Sequence, residues 1–352
     1  MKQIIATDTD KCQGCSNCVG VCPVEQANII SVIDKKLRIL VDSQKCIACG
    51  ACLRACPYNA RYYKDDTERF FDDLKKGEPI ALIVAPAFSV NFPNWKAILA
   101  WFKTQGVSAI VDVSLGIEIC CWAHLRYIER YNKAALITQP CPPIVSYIEK
   151  HRPALLGRLS PVISPILCTA VYLKRVLNLP DKIAALTPCP AKVEEFGRSD
   201  GVSYNVTFKK LADYLVAHGI NLPKADFDFD NIAVAHGRVP SSLPDIIKRA
   251  TGCIRFIGAK IDIDIESNCN NMYGYLDETL RDESGDEPTL FNALNCPGGC
   301  VNGVAGNADI TDVDHITRLN LGDSKENDNE LASLFPVFDN MLELTDYIKP
   351  VV

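Results

Sequence analysis

The chain has no apolar stretch long enough to cross a bilayer, and its start, MKQIIATDTD, lacks the basic-then-apolar pattern of a secretory leader. A membrane span and export are excluded as expectations, and the expected compartment is the cytoplasm. Strong charge of either sign is also missing: the net charge is -6 over 352 residues, with no basic surplus that would point to a nucleic acid. The charge is uneven, since residues 1 to 62 hold eight Lys/Arg against five Asp/Glu and the remainder 29 against 38. That asymmetry would suit docking of an acidic redox partner, yet a difference of that size is more often plain surface variation. What abounds is cysteine, at seventeen. A reducing compartment argues against disulfides and for metal ligation or catalysis. With 48% hydrophobic residues, the chain can fill one large core beside a small appended domain, or two comparable lobes.

The spacing of the cysteines decides between these uses. Cys12, Cys15, Cys18 and Cys22-Pro23 are repeated position for position by Cys46, Cys49, Cys52 and Cys56-Pro57. A Cys-x-x-Cys-x-x-Cys loop wraps three irons of a 4Fe-4S cube, and a distant cysteine followed by proline supplies the fourth ligand. In two-cluster ferredoxins that fourth ligand is exchanged between the halves. One cube is therefore assigned to Cys12, Cys15, Cys18 and Cys56, the other to Cys46, Cys49, Cys52 and Cys22. A zinc site or buried free thiols would not account for two identical runs each ending in Cys-Pro. Such cubes have no open coordination site, so this module moves electrons and any chemistry lies elsewhere.

Residues 1–62 thus read as a small α+β domain of bacterial-ferredoxin type, and the charged segment 63–77 as a connecting helix ending in Gly77. From 78 to 352, short aliphatic runs alternate with amphipathic stretches: IALIV (80 to 84), SAIVDV (108 to 113), AALIT (134 to 138) and KIAAL (182 to 186). A second series follows at 202 to 207, 231 to 236, 253 to 259 and 261 to 266. The expected architecture is a two-lobed α/β domain with parallel sheets. Residues 277–289 and 308–330 are polar and acidic, and read as surface loops or insertions.

Four further cysteines carry a context of their own: Cys141 in ITQPCPP, Cys189 in LTPCPAKVEE, and Cys296 and Cys300 in LNCPGGCVNG. The first two follow predicted strands and precede predicted helices, at the carboxyl edge of a parallel sheet where ligands of α/β proteins collect. Helix N-termini there suit anionic thiolates, and prolines after the cysteines suit a first helical turn. APAF (85 to 88) opens on the same crevice, and Gly298 and Gly299 leave room for a bulky inorganic group.

On these residues the chain resembles the iron-iron hydrogenases. TPCPAKVEE matches that family's Pro-Cys-x-x-Lys-x-x-Glu motif and NCPGGCVNG its Cys-Pro-Gly-Gly-Cys motif, while ITQPCPP with the following SYIEKHRPALLGRLSPVISP resembles its first active-site segment. The resemblance implies an H-cluster: Cys141, Cys189, Cys296 and Cys300 would hold a third cube, and Cys300 would bridge it to a two-iron subsite bearing CO, cyanide and a dithiolate. Lys192 would hydrogen-bond a cyanide of that subsite, a charge-assisted contact no aliphatic residue makes. Glu195 would orient the ammonium, although a solvated glutamate is a competing reading. Pro86, Ala87, Thr187 and Pro188 would line the subsite.

Several positions depart from the family. Its fast members carry a relay cysteine where this chain has Pro140, and relay glutamates where it has Ala123 and His124; Ser164 is retained from the usual proton route. Thr187 replaces a pocket methionine, Leu294 and Asn295 precede the last cysteine pair, and Val304 and Ala305 replace trailing glycines. Cys120 and Cys121 read as small apolar packing residues in a strand-to-helix turn and His124 as an ordinary helix residue, with a proton detour through them as the competing reading. Cys168, Cys253 and Cys269 read as structural thiols. General acid-base assistance is worth about two to four powers of ten, so loss of the relay predicts slow turnover, a pattern that resembles the sensory, group D-like hydrogenases.

The resemblance implies slow, reversible interconversion of hydrogen with protons and electrons, in a hydrogen-sensing role. Its implied partners are a ferredoxin-like electron carrier, a separate signalling protein and maturation proteins for the diiron subsite; a homodimer is compatible. The alternative is a non-catalytic relative that holds only cubes and serves iron-sulfur assembly as scaffold or adaptor. Such a relative has no use for Lys192.

Overall fold

The two cysteine repeats fold into matching halves, each coiled through left-handed backbone on either side of its second cysteine. Gly14 (φ 69°) and Ser16 (φ 63°) flank Cys15, and Ala48 (φ 55°) and Gly50 (φ 80°) flank Cys49. Short helices follow, α1 (Asn17–Gly20) and α2 (Ala51–Arg54). Strand β1 (Ile5–Thr7) pairs antiparallel with β4 (Arg61–Tyr63), closing the module's two ends on each other. Strands β2 (Asn28–Ile33) and β3 (Lys36–Val41) form a hairpin. Its turn residues Asp34 and Lys35 both have positive φ, which matches the right-handed twist of the strands. The computed structural model describes residues 3–133, 136–224, 226–230, 272–274, 276–277, 290–296, 299–307 and 334–349. The strands expected at 231–236, 253–259 and 261–266, with Cys253, Cys269, Gly298 and nearly all of the two acidic segments, lie outside the described residues.

Helix α3 (Thr67–Lys75) lies within the segment 63–77. Its apolar stripe, Phe70, Phe71 and Leu74, is buried in the same core as Leu82, Phe102 and Tyr204 of the second body. Asp65 holds its start, accepting from the Thr67 hydroxyl at 3.0 Å and from the Thr207 hydroxyl at 2.6 Å.

The second body is built on a parallel sheet in the order β6 (Ile110–Asp112), β5 (Ile80–Val84), β8 (Lys182–Thr187), β9 (Tyr204–Thr207). All five residues of β5 are buried, as are five of the six in β8. Helices cover both faces of such a sheet, which is why these strands read as unbroken apolar runs instead of alternating ones. Helices α4 (Ala87–Asn91), α5 (Trp95–Thr104) and α10 (Phe208–Ala217) belong with α3 to one core. Helices α6 (Ser114–Tyr131) and α8 (Pro165–Val171) form the other, with residues 334–341. α6 and α8 approach so closely at Gly116 that an added Cβ would collide with the Pro165 carbonyl and the Thr169 hydroxyl.

A second parallel pair joins β7 (Leu136–Ile137) to β10 (Leu290–Phe291). Helices α7 (Pro142–His151) and α9 (Lys192–Phe196) follow β7 and β8. The register pairs Val84 with Leu186 and Asp112, and Thr187 with Thr207. The four strands of the main sheet thus end nearly level, and the segments leaving them share one edge.

Candidate functional site

In the N-terminal module the sulfurs fall into two groups. Cys12, Cys15, Cys18 and Cys56 line one small cavity, and Cys22, Cys46, Cys49 and Cys52 line another. Each group thus takes its last member from the other repeat. Backbone N–H groups point at the sulfurs: Ile39 N donates to Cys12 Sγ at 3.5 Å, Ala48 N to Cys46 Sγ at 3.4 Å and Ala60 N to Cys56 Sγ at 3.3 Å. Arg61, 7% exposed, donates to Cys18 Sγ at 3.1 Å and to Asn28 Oδ1 at 2.6 Å. Nothing in the repeat flags this arginine, because its sulfur partner lies 43 residues away. The second group faces inward: Cys46 and Cys52 pack with Cys189 and Val193, and Cys22 and Cys49 with Cys141 and Ile144.

At the carboxyl edge of the main sheet the segments leaving β5, β8, β7 and β10 meet helix α6 around a cavity of about 290 Å³. Pro86 and Ala87 line it from the end of β5, and Thr187, Pro188 and Cys189 from the end of β8. Thr187 also locks the turn. It donates to Asn205 Oδ1 at 2.6 Å and accepts from Cys189 N at 3.3 Å, while Asn205 Nδ2 donates to the Cys189 carbonyl at 2.9 Å.

Cys141 is the N-cap of α7, with proline in the first turn. Burial pushes its thiol well above the ordinary value, reinforced by the charges of Cys189, Cys296 and Cys300. Burial and then Cys296 push Cys189 up to about 12. Cys300 is exposed yet lines the cavity, and desolvation there with the charge of Cys296 pushes it up to about 11. The four sulfurs therefore feel one another. Among the described residues no group of three or more His, Cys, Asp or Glu is drawn close enough to hold a single metal ion. Four neighbouring cysteines, of which Cys141, Cys189 and Cys300 resist ionisation in protein alone, fit a polynuclear iron centre, whose positive charge ionises its thiolate ligands.

Lys192 opens α9 and is 6% exposed. Its ammonium donates to Glu195 Oε2 and, at 3.1 Å, to the Pro140 carbonyl. Burial works against its charge, but Glu195 outweighs it, so the lysine titrates above its ordinary value. An ammonium has three N–H donors, so one remains for a group in the cavity that Lys192 lines with Cys189 and Cys300. Ser164 serves the helix instead. Its hydroxyl accepts from Leu167 N at 3.5 Å and caps α8, while its neighbours Ile163 and Pro165 line the cavity.

Cys120 and Cys121 pack with the core and His124 sits on a helix, as read from the sequence; the cysteines' placement in a strand-to-helix turn is corrected. They lie within α6, beyond any strand-to-helix turn, and all three line the cavity. His124, 3% exposed, donates from Nδ1 to the Cys120 carbonyl at 2.7 Å, and its Nε2 has no hydrogen-bond partner among the described residues. Both Cys120 and Cys168 lie 3.5 Å from the Ile163 carbonyl. A hydrogen bond from Cys168 and the charge of His124 hold the Cys120 thiol below its usual range against burial. The i, i+4 spacing that brings Cys120 and His124 together is visible in EICCWAH; the cavity is not.

Residues 78–304 match the family model of the iron-only hydrogenase large subunit, C-terminal domain, and residues 4–68 match that of the 4Fe-4S dicluster domain. A comparison with curated protein sequences finds no match. Among solved structures, the FeFe-hydrogenase HydA(deltaEFG), described for stepwise H-cluster assembly, superposes with a TM-score of 0.55 at 14% identity, covering 77% of this chain and 93% of its own. HydA1 from Chlamydomonas reinhardtii superposes with a TM-score of 0.54 at 14% identity and the same coverage, both as a glutamate-to-glutamine variant and in an apo form with a cysteine-to-histidine change. At that identity the likeness is one of fold. No helix among the described residues is long and apolar enough to cross a membrane. The family model spans the sheet, the cavity and all four converging cysteines, and on that ground the chain belongs to the iron-only hydrogenase large-subunit family, its C-terminal domain preceded by a ferredoxin-like dicluster domain.

Proposed function

We propose that this protein interconverts molecular hydrogen with protons and electrons, slowly in both directions, and serves to report hydrogen to a separate signalling protein. The observation that carries this reading is the buried Lys192 ammonium, held by Glu195 and the Pro140 carbonyl on the wall of a cavity shared with Cys189 and Cys300. A buried cation with a spare donor calls for an anionic or strongly polar acceptor, and an iron-bound cyanide would be one.

Cys141, Cys189, Cys296 and Cys300 would hold the inner cube, with Cys300 as the bridge to the diiron subsite. When bound, this centre supplies the metal chemistry of hydrogen cleavage and formation. Lys192 would donate to a cyanide of that group, Glu195 would keep the ammonium charged and aimed, and Pro86, Ala87, Thr187 and Pro188 would exclude water around the subsite. Pro140 has no exchangeable proton, and the cavity's nearest acid-base pair is Cys120 with His124. Slow turnover follows from that substitution.

The module at 1–62 would carry electrons through its two cubes. Cys46 and Cys52 pack on the same small core as Cys189, whereas Cys15 of the other group is exposed and suits docking by a ferredoxin-like carrier. The expected setting is the cytoplasm, with maturation proteins loading the diiron subsite.

Infrared spectroscopy of the matured protein tests this reading, because iron-bound CO and cyanide absorb where proteins are transparent. Their bands are expected. Protein carrying its full complement of cubes but lacking those bands after maturation would leave the assembly-scaffold alternative in place.

A further inference from the structure

Asn295 touches both metal-binding regions. Its backbone N–H donates to Cys141 Sγ at 3.4 Å, and its side-chain Nδ2 donates to Cys296 Sγ at 3.6 Å and to the Cys49 carbonyl at 3.1 Å. Tyr273 donates to Asn295 Oδ1 at 2.5 Å, and this fixes which end of the amide is which. A carbonyl oxygen can only accept, so Nδ2 must face Cys49, and the tyrosine completes the assignment. Cys49 belongs to the inward-facing group of the N-terminal module, and Cys141 and Cys296 to the inner four. Asn295, Cys296, Cys49 and Tyr273 also share the wall of an open cleft of about 590 Å³ between the two regions.

Two consequences follow from chemistry alone. N–H donors aimed at thiolate sulfurs stabilise negative charge on a cluster, which favours its reduced form and raises its potential. The Cys49 carbonyl, the Asn295 amide and the Cys296 sulfur also make a connection from one cysteine to the other with a single carbonyl hydrogen bond in it. An apolar residue here would remove the side-chain donor, break the connection and leave the Cys49 carbonyl to water.

We propose that Asn295 sets the reduction potential of the inner cube and couples it electronically to the neighbouring cube of the N-terminal module. The proposal rests on the reading that Cys141, Cys189, Cys296 and Cys300 hold a cube. Tyr273 is its positioning residue, acting through the amide it orients.

The test uses the full chain loaded with its cubes, without the diiron subsite. Potentiometric titration followed by electron paramagnetic resonance reads each cube's midpoint and the magnetic interaction between them. For Asn295→Leu, close in volume, the inner cube should be about tenfold less reduced at a fixed potential, as loss of a hydrogen bond to a charged group implies. For a one-electron couple this is a fall of about 59 mV. Its magnetic interaction with the neighbouring cube should weaken, while the cube of Cys12, Cys15, Cys18 and Cys56 keeps its potential and so reports an intact fold. Tyr273→Phe should shift the inner cube in the same direction by less. If Asn295→Leu disturbs the outer cube as well, Tyr273→Phe decides: a shift confined to the inner cube supports the proposal, and none overturns it. Three cubes per chain with potentials and coupling unmoved in both variants would overturn the inference alone. Iron for fewer than three cubes in the unaltered protein would overturn the cluster reading and this inference with it.

Discussion

The Cys120 sulfur lies 3.7 Å from Nδ1 of His124, one helical turn away, and both side chains face the cavity that holds Lys192, Cys189 and Cys300. Burial alone would keep the imidazole neutral, yet the Cys120 charge and two hydrogen bonds raise its titration above the ordinary value. Cys120 moves the opposite way, and Cys168 beside it is raised by burial and stays protonated. These opposite directions favour a proton on nitrogen over one on the Cys120 sulfur.

That arrangement predicts a pH window. Cys120, with a lowered folded value, stabilises the protein above its unfolded value and loses that contribution as pH falls through the folded one; His124, raised, contributes below its unfolded value and loses it as pH rises through the folded one. Between the two, the pair is intact. Infrared difference spectra of the parent protein minus Cys120→Ala should show no S–H band at neutral pH, and one should grow in acid. An S–H band already present at neutrality would place the proton on sulfur and remove the pair as an ionised group.

Lys192 and Glu195 are buried on each other, with side chains 8% and 6% exposed. Lys192→Met should destabilise the protein by about 3–5 kcal/mol, because it strands a buried carboxylate. Lys192→Met with Glu195→Gln should recover a large part of that loss. Denaturant unfolding of the three proteins measures it; equal losses for the single and double variants would show that the pair is not coupled. Both variants should also fail to retain the diiron subsite, read by loss of its infrared bands.

Gly50 joins the two domains sterically. Its φ is +80°, and a Cβ there would lie 2.5 Å from Val304 Cγ1. Gly50→Ala should cost about 2–4 kcal/mol from left-handed backbone and overpacking together. Adding Val304→Ala should relieve the overpacking and leave the backbone cost. Thermal unfolding of the single and double variants checks the division, and no rescue by Val304→Ala would mean that the loop moves instead.

Pro140 accepts from Lys192 through its carbonyl and lines the cavity close to the missing relay. Pro140→Cys should raise hydrogen turnover by up to about a hundredfold, within the ordinary range of acid-base assistance. Unchanged turnover, with infrared bands showing a loaded subsite, would mean that the proton supply lies elsewhere than this position.

Much of this protein is written in its spacing. Eight cysteines in two matched runs dictate a dicluster module locally, since each loop needs only its own residues to coil around the second cysteine, and left-handed residues at Gly14, Ser16, Ala48 and Gly50 provide the coil. The unbroken apolar runs of β5 and β8 likewise point to a doubly covered parallel sheet. What spacing does not assign are the residues whose partners are distant in sequence. Arg61 meets Cys18 across 43 positions, and Asn295 meets Cys49 across 246. Cys120 reads as a packing residue and His124 as an ordinary helix residue because a helix face says only which side chains are neighbours, not what that face looks into. Amino-acid order sets local geometry and the identity of donors; the level ending of the parallel strands and the docking of the ferredoxin module decide which donors share a cavity, because burial and long-range contact exist only once the chain has folded.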